Sequence, residues 1–364
     1  MADINILTVV IFFISSFVLS SAAVFLILKI SIKKKWFDPS EERKVHEGSI
    51  PRLAGIGFST VFFIVVVAGG FVFWEEIANL RYLSYLAGLL IILLFGIYDD
   101  FRPLLPRYKL IVQFLAAVLV IVPGFVFRRI IYFDAGSLPA PVGYAITLLW
   151  IVGLTNAINL IDGVDGLAGG ISALIAFFYG VIIFFSGGTP FVIVLCVIFI
   201  GVIAGFLAFN APFPKAKIFM GDCGSQFLGF GLAVLPLLGR QSYYSTLPLF
   251  YAAALLLIPI LDTLAAVWRR IRDGYNIGTP DRAHVHHKLM NIGLSVRGVG
   301  AVLCGLQAAL GVLVFISSRM ASRMDRLLSL VVLGAAYLLA IAFFIAVHYL
   351  NQAANKRQLV KIQT

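Results

Sequence analysis

Apolar residues in this chain come in long unbroken runs, and polar residues come in short bursts between them. Eleven runs, at about 5–30, 53–73, 80–98, 108–123, 142–158, 167–186, 189–209, 223–238, 246–268, 297–317 and 326–350, predict eleven transmembrane helices. No polar stretch is long enough for a separate soluble domain. The expectation is therefore an all-α polytopic integral membrane protein, with one membrane-embedded domain over residues 1–364. The first run has no basic stretch ahead of it and no small-residue cleavage site, so it predicts a retained helix rather than a signal peptide. Segment 124–141, with Gly136, Pro139 and Pro141, predicts a small hairpin or surface segment.

Composition agrees with the pattern. Of 364 residues, 61% are hydrophobic and 12% charged, and the mean hydropathy is +1.02. The net charge of +11 raises the question of nucleic acid. Its basic residues, however, lie in short loops between apolar runs, where they act as topology signals and indicate no nucleic-acid partner. Alternate loops divide the 28 Lys and Arg into sets of 21 and 7. The richer set marks the cytoplasmic side, so the N-terminus is expected outside and the C-terminus in the cytoplasm. Cys196, Cys223 and Cys304 sit in or beside apolar runs at unrelated spacing, with neither a disulfide framework nor a zinc pattern. No internal repeat is visible.

The polar bursts on the expected cytoplasmic side carry the candidate chemistry. Asn156-Ala-Ile-Asn159-Leu-Ile-Asp162-Gly-Val-Asp165-Gly-Leu-Ala-Gly-Gly170 sets two amides, two carboxylates and four glycines between apolar segments. Such groups are expensive in lipid, and glycine after each carboxylate suits a turn that approaches a ligand closely. Helix capping by Asp165 or Asn156 is the plainer reading. Asp99-Asp100 ends the third run. Adjacent helical positions point about 100° apart, so one carboxylate suits a metal or nucleophile while the other holds a cation. Lys109 opens the next run, as a phosphate ligand or as an interface side chain. Asp222, before Gly224 and Ser225, suits both a helix cap and a Mg2+ site.

Lys44, His46 and Arg52 precede a glycine-rich helix entry and suit either phosphate contact or a topology signal. His284, His286 and His287, next to Arg282 and Lys288, look more like a pyrophosphate and nucleotide clamp than a zinc site. Asp262 lies inside an apolar run and needs a partner or a polar cavity; Arg269, about two turns on, is too far to pair easily.

Taken together, these motifs resemble the polyprenyl-phosphate N-acetylhexosamine-1-phosphate transferases, a family of integral membrane enzymes. Five blocks carry the likeness, in order, over about residues 43–290: Arg43–Gly57, Asp99-Asp100, Asn156–Gly170, Phe219–Ser225 and His284–His287. The resemblance implies a reaction. Undecaprenyl phosphate attacks the sugar-linked phosphorus of a UDP-N-acetylhexosamine, UMP leaves, and a lipid-linked sugar remains in the bilayer. It implies Mg2+, with Mn2+ as a substitute, and a bacterial inner (cytoplasmic) membrane; it is compatible with a homodimer. By match, Asp99, Asp100 and Asp162 are catalytic, and Asp222 and Asn156 lie at the metal. Lys44, Lys109, Asn159, Asp165, His284, His286 and His287 contact substrate. The histidine block reads His-Val-His-His rather than three consecutive histidines. That departure favours the N-acetylhexosamine branch over the muramoyl-pentapeptide branch, with N-acetylglucosamine the default sugar and O-antigen, common antigen or teichoic acid downstream. The competing class is a proton- or metal-coupled transporter, which predicts polar groups at mid-membrane and on both sides.

Overall fold

A computed structural model describes residues 4–37, 50–133, 138–211, 215–239, 247–276 and 283–363, with side chains to residue 357. Among the described residues the chain is all-helical. In order the α-helices are α1 (Ile6–Lys34), α2 (Ala54–Ala68), α3 (Trp74–Ile77), α4 (Leu80–Phe101), α5 (Pro106–Ile121), α6 (Ala140–Ile161), α7 (Leu167–Phe185), α8 (Pro190–Asn210), α9 (Gly221–Val234), α10 (Leu249–Leu255), α11 (Leu257–Arg272), α12 (Val285–Asn291), α13 (Val296–Ser322) and α14 (Arg326–Gln363). Every apolar run of the sequence is helical. Among the described residues, eight helices are long and apolar enough to cross a membrane, and nine spans result if α10 and α11 count as one broken span. The chain is a multi-pass membrane protein.

The other predicted spans are shorter or bent. At about 1.5 Å per residue, the 16 residues of α5 reach about 24 Å. The 14 of α9 are extended only by the 3-10 turn Leu235–Leu237. The run expected as a single span at 246–268 turns by 85° between α10 and α11. Pro259 explains the break: its ring would clash with the carbonyl four residues back, at Leu255, the last residue of α10. The segment after α5 is packed rather than superficial, with Phe125, Phe127 and Tyr132 buried.

Backbone groups facing lipid have no water to bond, so helix ends need partners. Asn5 and Asn79 cap α1 and α4 with their side chains, and Pro106 and Pro190 open α5 and α8 where no intrahelical N–H is needed.

Short α9 is the axis of the bundle. Cys223 to Val234 are all buried, and glycines let neighbours reach its backbone. A Cβ on Gly55 of α2 would lie 2.4 Å from Gly224 N, and one on Gly96 of α4 would lie 2.5 Å from Cys223 Cα. A Cβ on Gly229 would lie 2.8 Å from Thr155 Cα of α6, and one on Gly231 would lie 2.4 Å from the ring of Phe199 of α8. Without a hydrophobic drive between helices in lipid, this close packing is what holds them together. The entrance to α9 is fixed by two devices. Residues 51–55 pair with 219–220 through Phe219 N to Pro51 O (2.7 Å), Ala54 N to Phe219 O (3.1 Å) and Gly55 N to Met220 O (2.9 Å). The Asp100 carboxylate accepts the N–H groups of Asp222 (2.8 Å) and Cys223 (3.2 Å). It therefore caps α9 from another helix.

Gly55→Val should force α2 off α9 and destabilise the fold by at least about 1–3 kcal/mol, read as a lower melting temperature in detergent; an unchanged melting curve would refute the tight crossing. Asp100→Ala should cost about 0.5–2 kcal/mol through the lost cap. Asp222→Asn should change stability by less than about 1 kcal/mol, in the same measurement.

Candidate functional site

The ends of α4, α6 and α8, the first half of α11 and the starts of α5, α7, α9 and α12 bring the polar motifs together. Lys109, on the first turn of α5, lies between two carboxylates. Its Nζ is 2.5 Å from Asp99 Oδ2 and 2.5 Å from Asp222 Oδ2. Asp99 is 2% exposed, and its other oxygen accepts the Leu104 N–H at 2.8 Å, which closes the α4–α5 turn. Asp222 Oδ1 accepts from Asn159 Nδ2 (3.2 Å), which also donates to Ser225 Oγ (2.7 Å). Asp99, Asp100, Lys109, Asn159 and Asp222 are thus linked directly, from four helices. The adjacent carboxylates have separate work, Asp99 on the cation and Asp100 on the start of α9. Gly221 is required at the junction. Its φ is +73°, and a Cβ there would lie 2.2 Å from Arg52 O and 2.7 Å from Asp100 Oδ2.

One helical turn further in lies a second layer. Asn156 Nδ2 donates to Gln113 Oε1 (2.6 Å) and Val152 O (2.8 Å), and Gln113 Nε2 donates to Gln226 Oε1 (3.0 Å). Asn156, expected at the metal, therefore lies in this amide layer, while Asn159 is the amide beside Asp222. Gln113 and Gln226 are functional neighbours that the motif reading passed over. Their signal is spacing: each stands four residues, one turn, after Lys109 or Asp222.

Asp222 also lines a cavity of about 310 Å3, which Lys109 does not line. Its walls include Arg52, Asn159, Asp162, Asp165, Asn210 and Asp222. Backbone donors define its shape: Asp165 Oδ2 accepts from Ala216 N (3.0 Å), and Asn210 Oδ1 accepts from Gly166 N (2.8 Å). Asn210 Nδ2 in turn donates to Ile218 O at 3.0 Å. The turn after α6 is thereby tied to the segment before α9. Arg52 donates to the Asp100 main-chain oxygen at 3.1 Å.

The histidine block packs behind the cavity turn, through His286 against Gly163. Asp262 accepts from Val285 N (2.7 Å) and pairs with His284 Nδ1 (2.8 Å). His284, not Arg269, is the partner that buried Asp262 required. His286 is 1% exposed, and a Cβ on Gly163 would lie 2.6 Å from its Nε2, so its ring lies against the cavity turn. Burial, then the neighbouring His287, pulls the His286 imidazole down to about 4, which keeps it neutral. The His287 ring follows at 4.3 Å. Lys44, His46 and Arg282 lie outside the described residues.

Burial, and then the charges of Asp222, Asp100 and Asp165, push the Asp162 carboxyl up to about 7. That repulsion is of the kind a divalent cation relieves. Among the described residues no three His, Cys, Asp or Glu side chains form a protein-only metal cage. Mg2+ does not need one, since it takes one or two carboxylates and completes its shell with water and phosphate oxygens. Asp222 and Asp162, on one cavity wall, fit that requirement.

The profile of glycosyl transferase family 4 matches residues 82–240, the stretch from α4 through α9 that holds Asp99, Asp100, Asp162, Asp165 and Asp222. A Bacillus subtilis (strain 168) protein named as a probable undecaprenyl-phosphate N-acetylglucosaminyl 1-phosphate transferase is 36% identical over 82% of this chain and 81% of its own length. Proteins of Yersinia pestis and Escherichia coli (strain K12), both named undecaprenyl-phosphate alpha-N-acetylglucosaminyl 1-phosphate transferase, are 30% and 31% identical. They cover 84% and 85% of the chain, and 83% and 84% of their own lengths. With the motif blocks gathered at one end of the bundle and relatives aligned over most of both chains, the protein belongs to the polyprenyl-phosphate N-acetylhexosamine-1-phosphate transferases of glycosyl transferase family 4.

Proposed function

We propose that this protein transfers N-acetylglucosamine 1-phosphate from UDP-N-acetylglucosamine to undecaprenyl phosphate, releasing UMP and starting a lipid-linked cell-surface glycan. The observation that carries the reading is Asp222, which both pairs with Lys109 and lines the polar cavity. The names of the relatives support both the sugar and the lipid. An oxygen of the lipid phosphate forms a bond to the sugar-bearing phosphorus. The bond from that phosphorus to the bridging oxygen breaks, and UMP keeps that oxygen.

The donor occupies the cavity, with Asp165 and Asn210 shaping its wall, Arg52 facing its phosphates and His286 bordering its turn. The acceptor phosphate approaches Lys109 from the lipid side, where Phe101, Leu105 and Tyr108 are exposed beside it. Asp99 holds the Lys109 ammonium, and both its oxygens are already engaged. A phosphate monoester with a second pKa near 6 is largely dianionic at neutral pH. Asp99 therefore serves as an electrostatic positioner and need not take a proton. Asp222 and Asp162 are the carboxylates that would hold Mg2+, which when bound neutralises the diphosphate and the charge on the leaving UMP.

The same reading takes the membrane as the bacterial inner membrane, with the site cytoplasmic, the N-terminus outside and the C-terminus inside. The 21-to-7 division of basic residues supports it. It also takes α5, α9 and the bent α10–α11 pair as crossings, which makes eleven. A helix wrapped by others, as α9 is, need not match the thickness of the bilayer.

The deciding experiment measures UMP release by the detergent-purified protein with undecaprenyl phosphate, Mg2+ and a panel of UDP-N-acetylhexosamines. Release should require lipid and metal and should favour UDP-N-acetylglucosamine; folded protein that releases nothing from any donor would refute the transferase reading. Asp99→Asn and Asp222→Asn should each lower turnover by more than about 100-fold while the protein still folds, and wild-type rates in either would remove its assigned role. A cation at Asp162 must displace a proton below about pH 7. Apparent Mg2+ affinity should therefore fall about tenfold per pH unit below that point and level off above it; titrations giving one constant from pH 5.5 to 8 would contradict Asp162 as a ligand.

A further inference from the structure

The histidine helix α12 has seven residues, about 10 Å of helix, too short to be stable unaided. It is held at both ends. At its start, Asp262 of α11 takes His284 and the Val285 N–H. At its last residue, Asn291 Nδ2 donates to Asn351 Oδ1 and Asn355 Oδ1, each at 2.7 Å. A side-chain amide has two N–H groups, and the two acceptors are four residues apart, on one face of α14.

These acceptors are not in the membrane-crossing part of α14. That helix has 38 residues, about 57 Å, whereas about 20 residues suffice to cross. Its apolar sequence ends at Tyr349-Leu350, and Asn-Gln-Ala-Ala-Asn-Lys-Arg follows. The helix therefore continues past its apolar part and carries Asn351 and Asn355 to α12. Between the two anchors sits His286, against Gly163 of the cavity turn.

We propose that the polar extension of α14 is a positioning strut, which acts through Asn351, Asn355 and Asn291 to hold the histidine helix against the donor cavity. The role in donor binding rests on the transferase reading above; the mechanical role does not. The three asparagines touch no reacting group. They act by fixing where α12 ends, and through it the His286 ring. The strut should therefore govern the nucleotide-sugar side of the reaction and leave the Lys109 side alone.

The test uses the full-length protein with Asn351→Leu and Asn355→Leu combined. Two quantities are measured: amide hydrogen exchange of residues 285–291, and initial rates of UMP release against each substrate. Exchange in α12 should rise about tenfold while α9 stays as in the wild type. KM for UDP-N-acetylglucosamine should rise about 5–10-fold, from the loss of two hydrogen bonds. Both kcat and KM for undecaprenyl phosphate should stay within about twofold. Asn351→Asp with Asn355→Asp keeps both acceptors and should restore exchange and KM together. Wild-type exchange in the leucine variant would overturn the strut. So would a fall in kcat with the donor KM unchanged. If the wild-type protein releases no UMP from any donor, the transferase reading fails, and the exchange result still decides the mechanical claim.

Discussion

The arrangement depends on one ammonium group held between two carboxylates. Lys109, Asp99 and Asp222 come from α5, α4 and α9, and each would be costly alone at the edge of an apolar bundle. Together they join three helices at the end where the chain enters and leaves the membrane. The pairing also leaves a surplus of negative charge. Lys109 engages two aspartates, while Asp162 and Asp165 face the cavity beside them, and burial, then these neighbouring charges, raise the Asp162 carboxyl.

Charge alone would not bring these groups within bonding distance. That needs α9 to lie within backbone contact of α2, α4 and α6, and glycine supplies the contact at each crossing. The first turn of α9 then begins at a defined depth, set by the positive φ of Gly221 and by the cap from Asp100. Asp222 takes its position from this packing. The inner layer of Gln113, Asn156 and Gln226 repeats the logic one turn deeper, where amides satisfy each other. It ties α5, α6 and α9 to one rotation, so the outer layer cannot slip without breaking buried hydrogen bonds.

Much of this was legible in the chain. Each apolar run became helix, because in lipid the backbone has few alternatives. The motif blocks met, because they stand in alternate connections, and alternate connections of spanning helices fall at the same end of a bundle. Helix rotation is what a linear reading does not convey. Asp99 and Lys109 are ten residues apart, and either role for the lysine suited its place, yet only the packed bundle turns it toward Asp222, 113 residues on. Asp262 is a second case. Its own helix offers only Arg269, too far along to pair, and its partner is His284, at the start of the next helix. The bend between α10 and α11 did have a signal in Pro259, but the run's length outweighed it. For Asn156 and Asn159, three residues apart, a shared motif concealed a difference of one turn in depth, and so a difference in neighbours.

A reaction that moves a sugar phosphate from a water-soluble nucleotide to a membrane lipid constrains where chemistry can sit. Deep in the bilayer the nucleotide would be stripped of water. Well above it, the lipid would have to leave its solvent. The end of the helix bundle avoids both costs, and there Asp222 lines a polar cavity and pairs with a lysine on the turn of α5 that exposes Tyr108, after exposed Phe101 and Leu105. The two sides are built differently for the same reason. The lipid side is formed by continuous helices, whose ends are held by their own crossings. The water side is formed by turns and by a short helix that has no apolar span to anchor it, so it borrows rigidity from Asp262 below and from the polar end of α14 above. Donor recognition is thus expected to be the more easily altered half of the site, because its short helix buries only Val285 and Leu289 in the core and takes the rest of its support from a few polar contacts.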